Sequence, residues 1–229
     1  MKIIIDSRMR QVEKRYLSQF GTLIELPYQD IVYDEISSHP DIFFCKINNT
    51  LFHAPNVKIN SNFGIPGQSN IECDYPNDIK YNICQIGNRI IHNFKYTDSK
   101  VLSYINDNNL IKINVSQGYT KCYICQTSDI SCITSDSGIN NLLKLNNIDS
   151  LLLENETISL LDKNGFKTNM KGFIGGATAI IDNTFILFGD IDRLKNKESL
   201  LKHINKYHLS IKDFKNLDII DYGSIITFD

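Results

Sequence analysis

Two short segments of the sequence carry side chains that can do acid–base and thiol chemistry. His39 and Asp41 stand two positions apart, and Lys121 directly precedes Cys122. On a β-strand His39 and Asp41 would lie on one face and could act together, and a histidine exchanges protons near neutral pH. A lysine beside a cysteine could lower the pKa of the thiol. Both segments also have a structural interpretation: a turn at a strand start for His39-Pro-Asp41, and a partly buried cysteine for Cys122.

The cysteine pattern argues against a metal site. The chain has six cysteines, and Cys122-Tyr-Ile-Cys125 has the spacing of a zinc-binding pair. On a β-strand, however, positions i and i+3 point to opposite faces, and no second pair of this spacing exists. The N-terminal apolar run is too short for a signal peptide, so the thiols are expected to be reduced, in a cytoplasmic protein. The sequence therefore predicts no metal and no cofactor.

A hairpin pattern recurs along the chain and predicts the elements that must position these residues. An apolar strand, a polar turn and a second apolar strand occur at 41–54, 81–92, 122–134 and 173–188. Segments with helical and then strand periodicity lie between the copies, except at 56–78, which is predicted to be a long loop. The unit is thus helix, strand, hairpin, and its recurrence indicates a repeat architecture.

The two ends of the chain complete this count. Gly223–Phe228 looks like the first half of a fifth hairpin, and Lys2–Ile5 looks like a second half that has no partner nearby in the sequence. Pairing the two would close a ring of five units and remove exposed sheet edges. We therefore predict an α/β fold with five-fold pseudosymmetry, closed by the N- and C-terminal strands, as one domain spanning 1–229.

Composition excludes some partners. The 229 residues carry a formal net charge of −2, so no bulk attraction to nucleic acid or to an anionic membrane is expected. No apolar run is long enough to span a bilayer. A hydrophobic fraction of 42% can supply a globular core. The oligomeric state is left open.

Six short motifs stand out along the chain: His39-Pro-Asp41, Ala54-Pro-Asn56, His92–Asp98, Gln117–Cys122, Thr134–Gly138 and Gly172–Gly176. They resemble the motifs of a bacterial family that is assigned the guanidine-modifying enzyme fold and has no established activity. The resemblance covers nearly the whole chain and implies the pentein fold, a five-fold α/β propeller of ββαβ repeats. Arginine deiminases, agmatine deiminases, dimethylarginine hydrolases and ribosome anti-association factors share that fold.

The resemblance also implies a site where the starts of the first hairpin strands converge. Eight residues are expected there: His39, Asp41, Lys121, Cys122, Gly175, Gly176, Asp221 and Ser224. Enzymes of this fold attack a guanidinium carbon with a cysteine thiolate, helped by a histidine and carboxylates. The implied roles are cation binding for Asp41 and Asp221, acid–base catalysis for His39 and nucleophilic attack for Cys122. The implied role of Lys121, Gly175, Gly176 and Ser224 is substrate contact.

The sequence departs from these enzymes at the nucleophile. They carry a cysteine just after a glycine-rich strand start, whereas Gly175-Gly176 is followed by alanine and threonine. Two hypotheses follow. One is hydrolase or amidinotransferase-like chemistry on a guanidine or amidine compound. The other is a non-catalytic binding module for a small cationic ligand or a protein partner.

Overall fold

The computed structural model describes residues 1–59 and 63–229, a mixed α/β chain. The strands are β1 (Lys2–Asp6), β2 (Thr22–Leu26), β3 (Phe44–Ile47), β4 (Thr50–His53), β5 (Ile65–Pro66), β6 (Cys84–Ile86), β7 (Arg89–His92), β8 (Ile111–Asn114), β9 (Ile124–Ser128), β10 (Ser131–Thr134), β11 (Asp149–Leu152), β12 (Ser159–Leu161), β13 (Lys167–Lys171), β14 (Thr178–Ile181), β15 (Thr184–Leu187), β16 (Ser210–Lys212) and β17 (Ile226–Phe228). The α-helices are α1 (Gln11–Leu17), α2 (Pro40–Phe43), α3 (Ser99–Asp107), α4 (Thr120–Tyr123), α5 (Ser137–Leu145) and α6 (Lys197–Lys206). Short 3-10 turns occur at Asp34–Ile36 and Ile191–Arg193.

One pattern of strands repeats in five sheets of the described residues. In each sheet two strands form an antiparallel pair. The second strand of that pair also lies in parallel beside a third strand. The sheets are β3-β4-β5, β6-β7-β8, β9-β10-β11, β14-β15-β16 and β17-β1-β2. In four of them an α-helix (α1, α3, α5 or α6) links the second strand to the third. This is the helix, strand and hairpin unit that the sequence predicts, because apolar strand pairs alternate with amphipathic helices.

The fifth connection, between β4 and β5, differs from the others. It lies in the predicted loop 56–78, of which residues 60–62 lie outside the described residues. Elsewhere in this stretch the structure has only the two-residue strand β5 and no helix. Pro, Gly, Ser and Asn residues are frequent in this part of the sequence, and all four residue types disfavour a helix.

The first and last strands form one sheet. β1 pairs antiparallel with β17, with Lys2 opposite Phe228 and Ile4 opposite Ile226, and parallel with β2 on its other side. Ile4 is buried in one hydrophobic cluster, whereas Ile3 and Ile5 are buried in another. A strand that is buried on both faces needs apolar side chains at consecutive positions, and the three isoleucines supply them. The strand ends at the buried residue Asp6.

Helix caps fix where two of the linking helices begin. The Asp98 carboxylate accepts bonds from the backbone N–H groups of Lys100 and Val101 at the start of α3. The Asp136 carboxylate accepts from Ile139 N–H at 2.7 Å at the start of α5. A short acidic side chain at this position satisfies N–H groups that have no partner within the helix.

Two features of the fold were not predicted. The hairpin β12-β13 stands outside the repeated unit. In addition, the segments expected to start the first hairpin strands are short helices: His39 caps α2, Asp41 lies inside α2, and Cys122 lies inside α4. The prediction that His39 and Asp41 share one face of a strand is therefore wrong, because Pro40 at the first helical position favours a helical turn.

Candidate functional site

The thiol of Cys122 lies at the centre of a buried polar cluster. Its Sγ is 3.2 Å from Asp41 Oδ2 and 3.1 Å from Asn82 Nδ2. Asn82 also bonds to the backbone of the two neighbouring segments. Its Oδ1 accepts from Lys121 N–H at 2.7 Å, and its Nδ2 donates to the Asp41 carbonyl at 3.1 Å. Asp41, Asn82 and Cys122 are each at most 3% exposed.

Burial and neighbouring acids control the thiol. Burial raises the pKa of Cys122 well above its usual value, and the charges of Asp41 and Asp221 raise it further. The pKa of Cys122 is therefore raised, whereas the sequence suggested that the neighbouring Lys121 could lower it. Burial also raises the pKa of Asp41 to about 6, against the bond from Cys122 and the positive charge of Lys121. The Cys122 thiol therefore keeps its proton and donates a hydrogen bond to Asp41 Oδ2.

A second buried carboxylate lies beside His39. Asp221 Oδ1 is 3.9 Å from His39 Nδ1, and Asp6 Oδ2 is 3.9 Å from His39 Nε2. Asp221 accepts backbone bonds from Phe173 and Gly223, each at 2.8 Å. Burial raises the pKa of Asp221 to about 7, and the charge of Asp41 contributes to that rise. The two acids are therefore electrostatically coupled.

The imidazole of His39 is buried without a hydrogen-bond partner on either ring nitrogen in the described part of the chain. Burial, with the charge of Arg8, holds its pKa well below the usual range, so the ring is neutral. One oxygen of Asp41, Oδ1, also lacks a partner among the described residues. Buried polar atoms are normally bonded, so these atoms are available to a ligand or to water. We call Asp6, His39, Asp41, Cys122 and Asp221 the acid cluster.

Arg8 shows how this chain holds a guanidinium group. Its Nη2 is 2.6 Å and its Nε 3.0 Å from the two carboxylate oxygens of Asp6. Its remaining hydrogens go to backbone carbonyls, among them Leu161 at 2.7 Å and Glu35 at 3.0 Å. This is the paired geometry in which a carboxylate binds a planar cation. Arg8 neutralises Asp6, which leaves Asp41 and Asp221 as the acids of the cluster without an Arg or Lys ion-pair partner in the described residues.

Two glycines allow the backbone to approach the cluster closely. A Cβ on Gly176 would lie 1.8 Å from Asp221 Oδ1, and a Cβ on Gly223 would lie 2.2 Å from the His39 Cβ. Gly175 packs against the carbonyls of Lys121 and Cys122 in the same way. The glycines are therefore required where the chain passes the acids.

The residues just before the five first strands are joined in a circuit of hydrogen bonds. Asn82 donates to the Asp41 carbonyl and contacts Cys122, whose carbonyl accepts from Gly176 N–H at 3.0 Å. Ser224 Oγ donates to the Gly175 carbonyl at 2.7 Å. The circuit closes where Asp41 N–H donates to the Gly223 carbonyl at 3.1 Å. We call Asp41, Asn82, Cys122, Gly176 and Ser224 the strand-start residues.

A family model matches residues 4–226 and is described as a family of unknown function, DUF6873. The chain belongs to that family. The match covers almost the whole sequence, so the fold and the acid cluster both lie within the family's domain. Among proteins with curated descriptions, none matches this chain.

Solved structures identify the fold of this family member. It is similar to a dimethylarginine dimethylaminohydrolase from Pseudomonas aeruginosa, a cysteine-to-serine variant in complex with citrulline, with a TM-score of 0.55 and 7% identity over 95% of this chain and 92% of that one. It is also similar to a dimethylarginine dimethylaminohydrolase adduct with 4-chloro-2-hydroxymethylpyridine, with a TM-score of 0.52, 7% identity and the same coverage. A C. jejuni agmatine deiminase matches with a TM-score of 0.45 and 10% identity, over 94% of this chain and 74% of that one. At these identities the similarity shows the fold alone, the pentein fold of guanidine-modifying enzymes.

The structure brings most of the predicted site residues of this family member together. Seven lie in or against the acid cluster: His39, Asp41, Cys122, Gly175, Gly176, Asp221 and Ser224. Lys121 is the exception, because its only hydrogen bond to the site in the described residues is from its backbone N–H to Asn82, while its side-chain charge acts on Asp41 without direct contact. Its side chain lines a separate cavity between the first strands.

Sequence reasoning missed three residues of the site: Asp6, Arg8 and Asn82. Asp6 ends a buried isoleucine run and is followed two positions later by an arginine, which is a usable signal for a buried ion pair. Asn82 stands two residues before Cys84, at the start of β6, as Ser224 stands two residues before Ile226 at the start of β17. Aligning the repeats on their first strands would have found it.

Residues 1–59 and 63–229 contain neither a metal-binding cluster nor a membrane-spanning helix. No group of three or more His, Cys, Asp or Glu side chains there could hold a metal ion. No helix described is long and apolar enough to cross a bilayer. All six cysteines are free thiols.

Proposed function

We propose that the protein binds a small guanidine or amidine compound in the acid cluster and acts on it through Cys122, by hydrolase or amidinotransferase-like chemistry. The observation that carries the proposal is the contact of the Cys122 thiol with Asp41 in a buried site that also holds Asp221 and His39. The proposal includes a single domain over 1–229 with the five-fold propeller arrangement of penteins, which the circuit of strand-start residues supports.

The charge balance of the cluster favours a cation. Asp41 and Asp221 are buried without an Arg or Lys ion-pair partner in the described residues, and His39 is neutral. Burying carboxylates without a counter-charge is costly, and a bound guanidinium ion would supply that charge. The Asp6–Arg8 pair shows that the chain already holds one guanidinium in this way. The P. aeruginosa protein of the same fold is a complex with citrulline, a ureido compound of the kind that hydrolysis of a guanidine yields.

In the covalent step one proton passes from Cys122 to Asp41 and then to the leaving amine. Asp41 Oδ2 accepts the Cys122 Sγ proton while Sγ bonds to the guanidinium carbon and one C=N electron pair moves to nitrogen. The C=N bond then re-forms as the C–N bond to the leaving amine breaks, and the amine takes the proton from Asp41. This leaves an amidino group on Cys122. The cationic substrate itself lowers the thiol pKa, against the effect of the two acids.

The second half-reaction restores the enzyme. His39 takes a proton from water as the water oxygen bonds to the amidino carbon. The C–S bond then breaks as the C=O bond forms, the second proton of the water passes to solvent, and His39 returns the first proton to the thiolate. The product is a urea compound. An acceptor amine in place of water would give a new guanidine, which is amidino transfer.

Turnover and thiol labelling test the proposal. Arginine, agmatine and methylarginines are incubated with the protein in a Cys73→Ser background, which removes the exposed thiol, and ureido product and released amine are measured. We expect turnover with at least one compound, loss of it in Cys122→Ala, and retention in Cys125→Ala, a matched control because Cys125 is equally buried. A haloacetamidine should label Cys122. Absence of both turnover and labelling would remove the catalytic proposal.

A second candidate function is binding without catalysis, and the raised pKa of Cys122 favours it. A thiol that keeps its proton is a poor nucleophile. In that case a guanidine compound should raise the melting temperature of the protein without being consumed. Asp221→Asn should remove the stabilisation, whereas Cys122→Ala should preserve it.

A further inference from the structure

A cavity of about 540 Å³ lies between the first strands of the hairpins, separate from the acid cluster. Its wall includes one residue from the second or third position of each of the five first strands: Lys46, Gln85, Gln126, Ile180 and Thr227. Its rim includes the hairpin-turn residues Asn48, Gly87 and Asp129. The volume falls within the range of about 300–1,000 Å³ that is typical of small-molecule sites.

The charges lining this cavity are unbalanced. Lys46 and Lys121 both line it and are half-buried. In the described part of the chain, the ammonium of neither lysine has an ion-pair or hydrogen-bond partner. The acid of the lining, Asp129, is exposed. Two half-buried ammonium groups facing one cavity repel each other, and a bound anion would relieve that repulsion.

The remaining polar lining suits an anion with several oxygens. Gln126 and Asn49 supply amide N–H donors and Thr227 a hydroxyl, and none of these side chains has a hydrogen-bond partner among the residues described. Gln85 is different, because its amide is bonded to Asn48 and to the Gly87 carbonyl. Lysine offers a compact charge with three donors, which suits a phosphate or carboxylate group. A guanidine ligand would be repelled here.

We propose that this cavity is a second ligand site, which binds a small compound through a phosphate or carboxylate group held by Lys46 and Lys121. Gln126 and Thr227 donate further bonds to the same oxygens. Lys46 and Gln126 belong to the first strands and not to the strand-start residues, so substitutions at these two positions test the cavity and leave the acid cluster unchanged.

Isothermal titration with inorganic phosphate and with succinate, at matched ionic strength, tests the proposal. We expect saturable binding of at least one anion by the wild-type protein, and the tighter of the two identifies the group. Lys46→Gln removes one charge-assisted contact and should weaken binding roughly tenfold. Lys144→Gln, which alters an exposed lysine of α5, should bind like the wild type.

A second substitution keeps the test decisive if Lys46→Gln alters folding. Gln126→Glu preserves the side-chain shape and places a negative charge in the cavity, so binding should fall at least as far. Equal binding by wild type, Lys46→Gln and Gln126→Glu would overturn the proposal. A heat signal no larger than that of chloride for both anions would also overturn it.

Discussion

The Cys122 thiol lies 3.2 Å from an Asp41 carboxylate oxygen, although the two residues are 81 positions apart in the chain. Each belongs to a short helix that directly precedes a first strand, and Asn82 from a third unit bonds to both. Burial raises the pKa of both groups. The contact raises the pKa of the thiol further and lowers that of Asp41, which stays at about 6.

Asp41→Asn is expected to make Cys122 more reactive toward alkylation. The substitution removes a negative charge and a hydrogen-bond acceptor that both raise the thiol pKa, so the thiolate fraction at neutral pH increases. The measurement is the rate of iodoacetamide labelling of the Cys122 peptide by mass spectrometry in a Cys73→Ser background. Asp30→Asn, at an exposed acid, should leave the rate unchanged. A rate that falls or stays constant in Asp41→Asn would contradict the assignment.

The contribution of Asp41 and Asp221 to stability should fall as the pH rises from about 4 to 7. Their folded-state pKa values are raised to about 6 and about 7, above the ordinary value of 3.8. At these two sites the folded protein holds more protons than the unfolded chain in that window, so their contribution to the free energy of unfolding decreases with pH, whereas the lowered pKa of His92 acts in the opposite direction. The measurement is urea denaturation of the wild type and of Asp221→Asn across the window. The unfolding free energy of the wild type relative to the variant should fall as the pH rises, and a constant difference would refute the shift.

A guanidine ligand should reverse part of this trend. A guanidinium cation binds the ionised carboxylates, so its affinity should increase as the pH rises through 6 to 7. Thermal shifts with agmatine at several pH values would measure it. A ligand whose stabilisation is constant across that range does not bind these two acids.

Gly176→Ala should destabilise the protein. A Cβ there would overlap Asp221 Oδ1, and both residues are buried, so the chain must move or the acid must lose its backbone bonds. Overpacking of this kind typically costs about 1–3 kcal/mol of unfolding free energy. Gly138→Ala in α5 is the control, because a Cβ there meets one atom, Asp136 Oδ1, at 3.2 Å. Equal stability of the two variants in urea would show that the backbone near Asp221 can yield.

Asn82→Ala should lower stability and disturb the thiol together. The substitution leaves the Lys121 N–H and the Asp41 carbonyl without their partner in a buried site. Each buried group left unbonded costs about 1–3 kcal/mol. Asn205→Ala on the exposed face of α6 should change the unfolding free energy by less than about 0.5 kcal/mol. An Asn82→Ala protein with wild-type stability would mean that water replaces the amide.

The hairpins could be predicted from the sequence because each has a local signature. Apolar runs on both sides of Asn48, or of Asp182 and Asn183, leave few alternatives to a turn, and all three residues adopt positive φ there. Asp98 and Asp136 were predictable as helix caps for the same reason: the partner N–H groups lie within three residues. The hairpin β12-β13 lacks such a signal, since β13 is polar and mostly exposed.

Four of the five members of the acid cluster could be predicted from the sequence, all but Asp6, whereas the geometry of the cluster could not. The repeat count placed His39, Asp41, Cys122 and Asp221 near one another. Whether Lys121 faces the thiol depends on the helical turn α4, which four residues of sequence do not specify. The strand prediction for 39–41 failed for the same reason. Side-chain direction changes with the backbone dihedrals of a single residue, and tertiary contacts decide those dihedrals.

The circuit of strand-start residues has a consequence for how the protein is made. Its last members, Gly223 and Ser224, are bonded to Asp41 and Gly175, and the strand that follows them pairs with the first strand of the chain. During synthesis Gly223 and Ser224 are made after the other members of the circuit, so the hydrogen bonds around Asp41 and Cys122 stay incomplete until this late segment pairs with the first strand. A chain interrupted before residue 221 would lack Asp221 and the edge partner of β1. The acid cluster is therefore assembled only after residues 221–228 have been made.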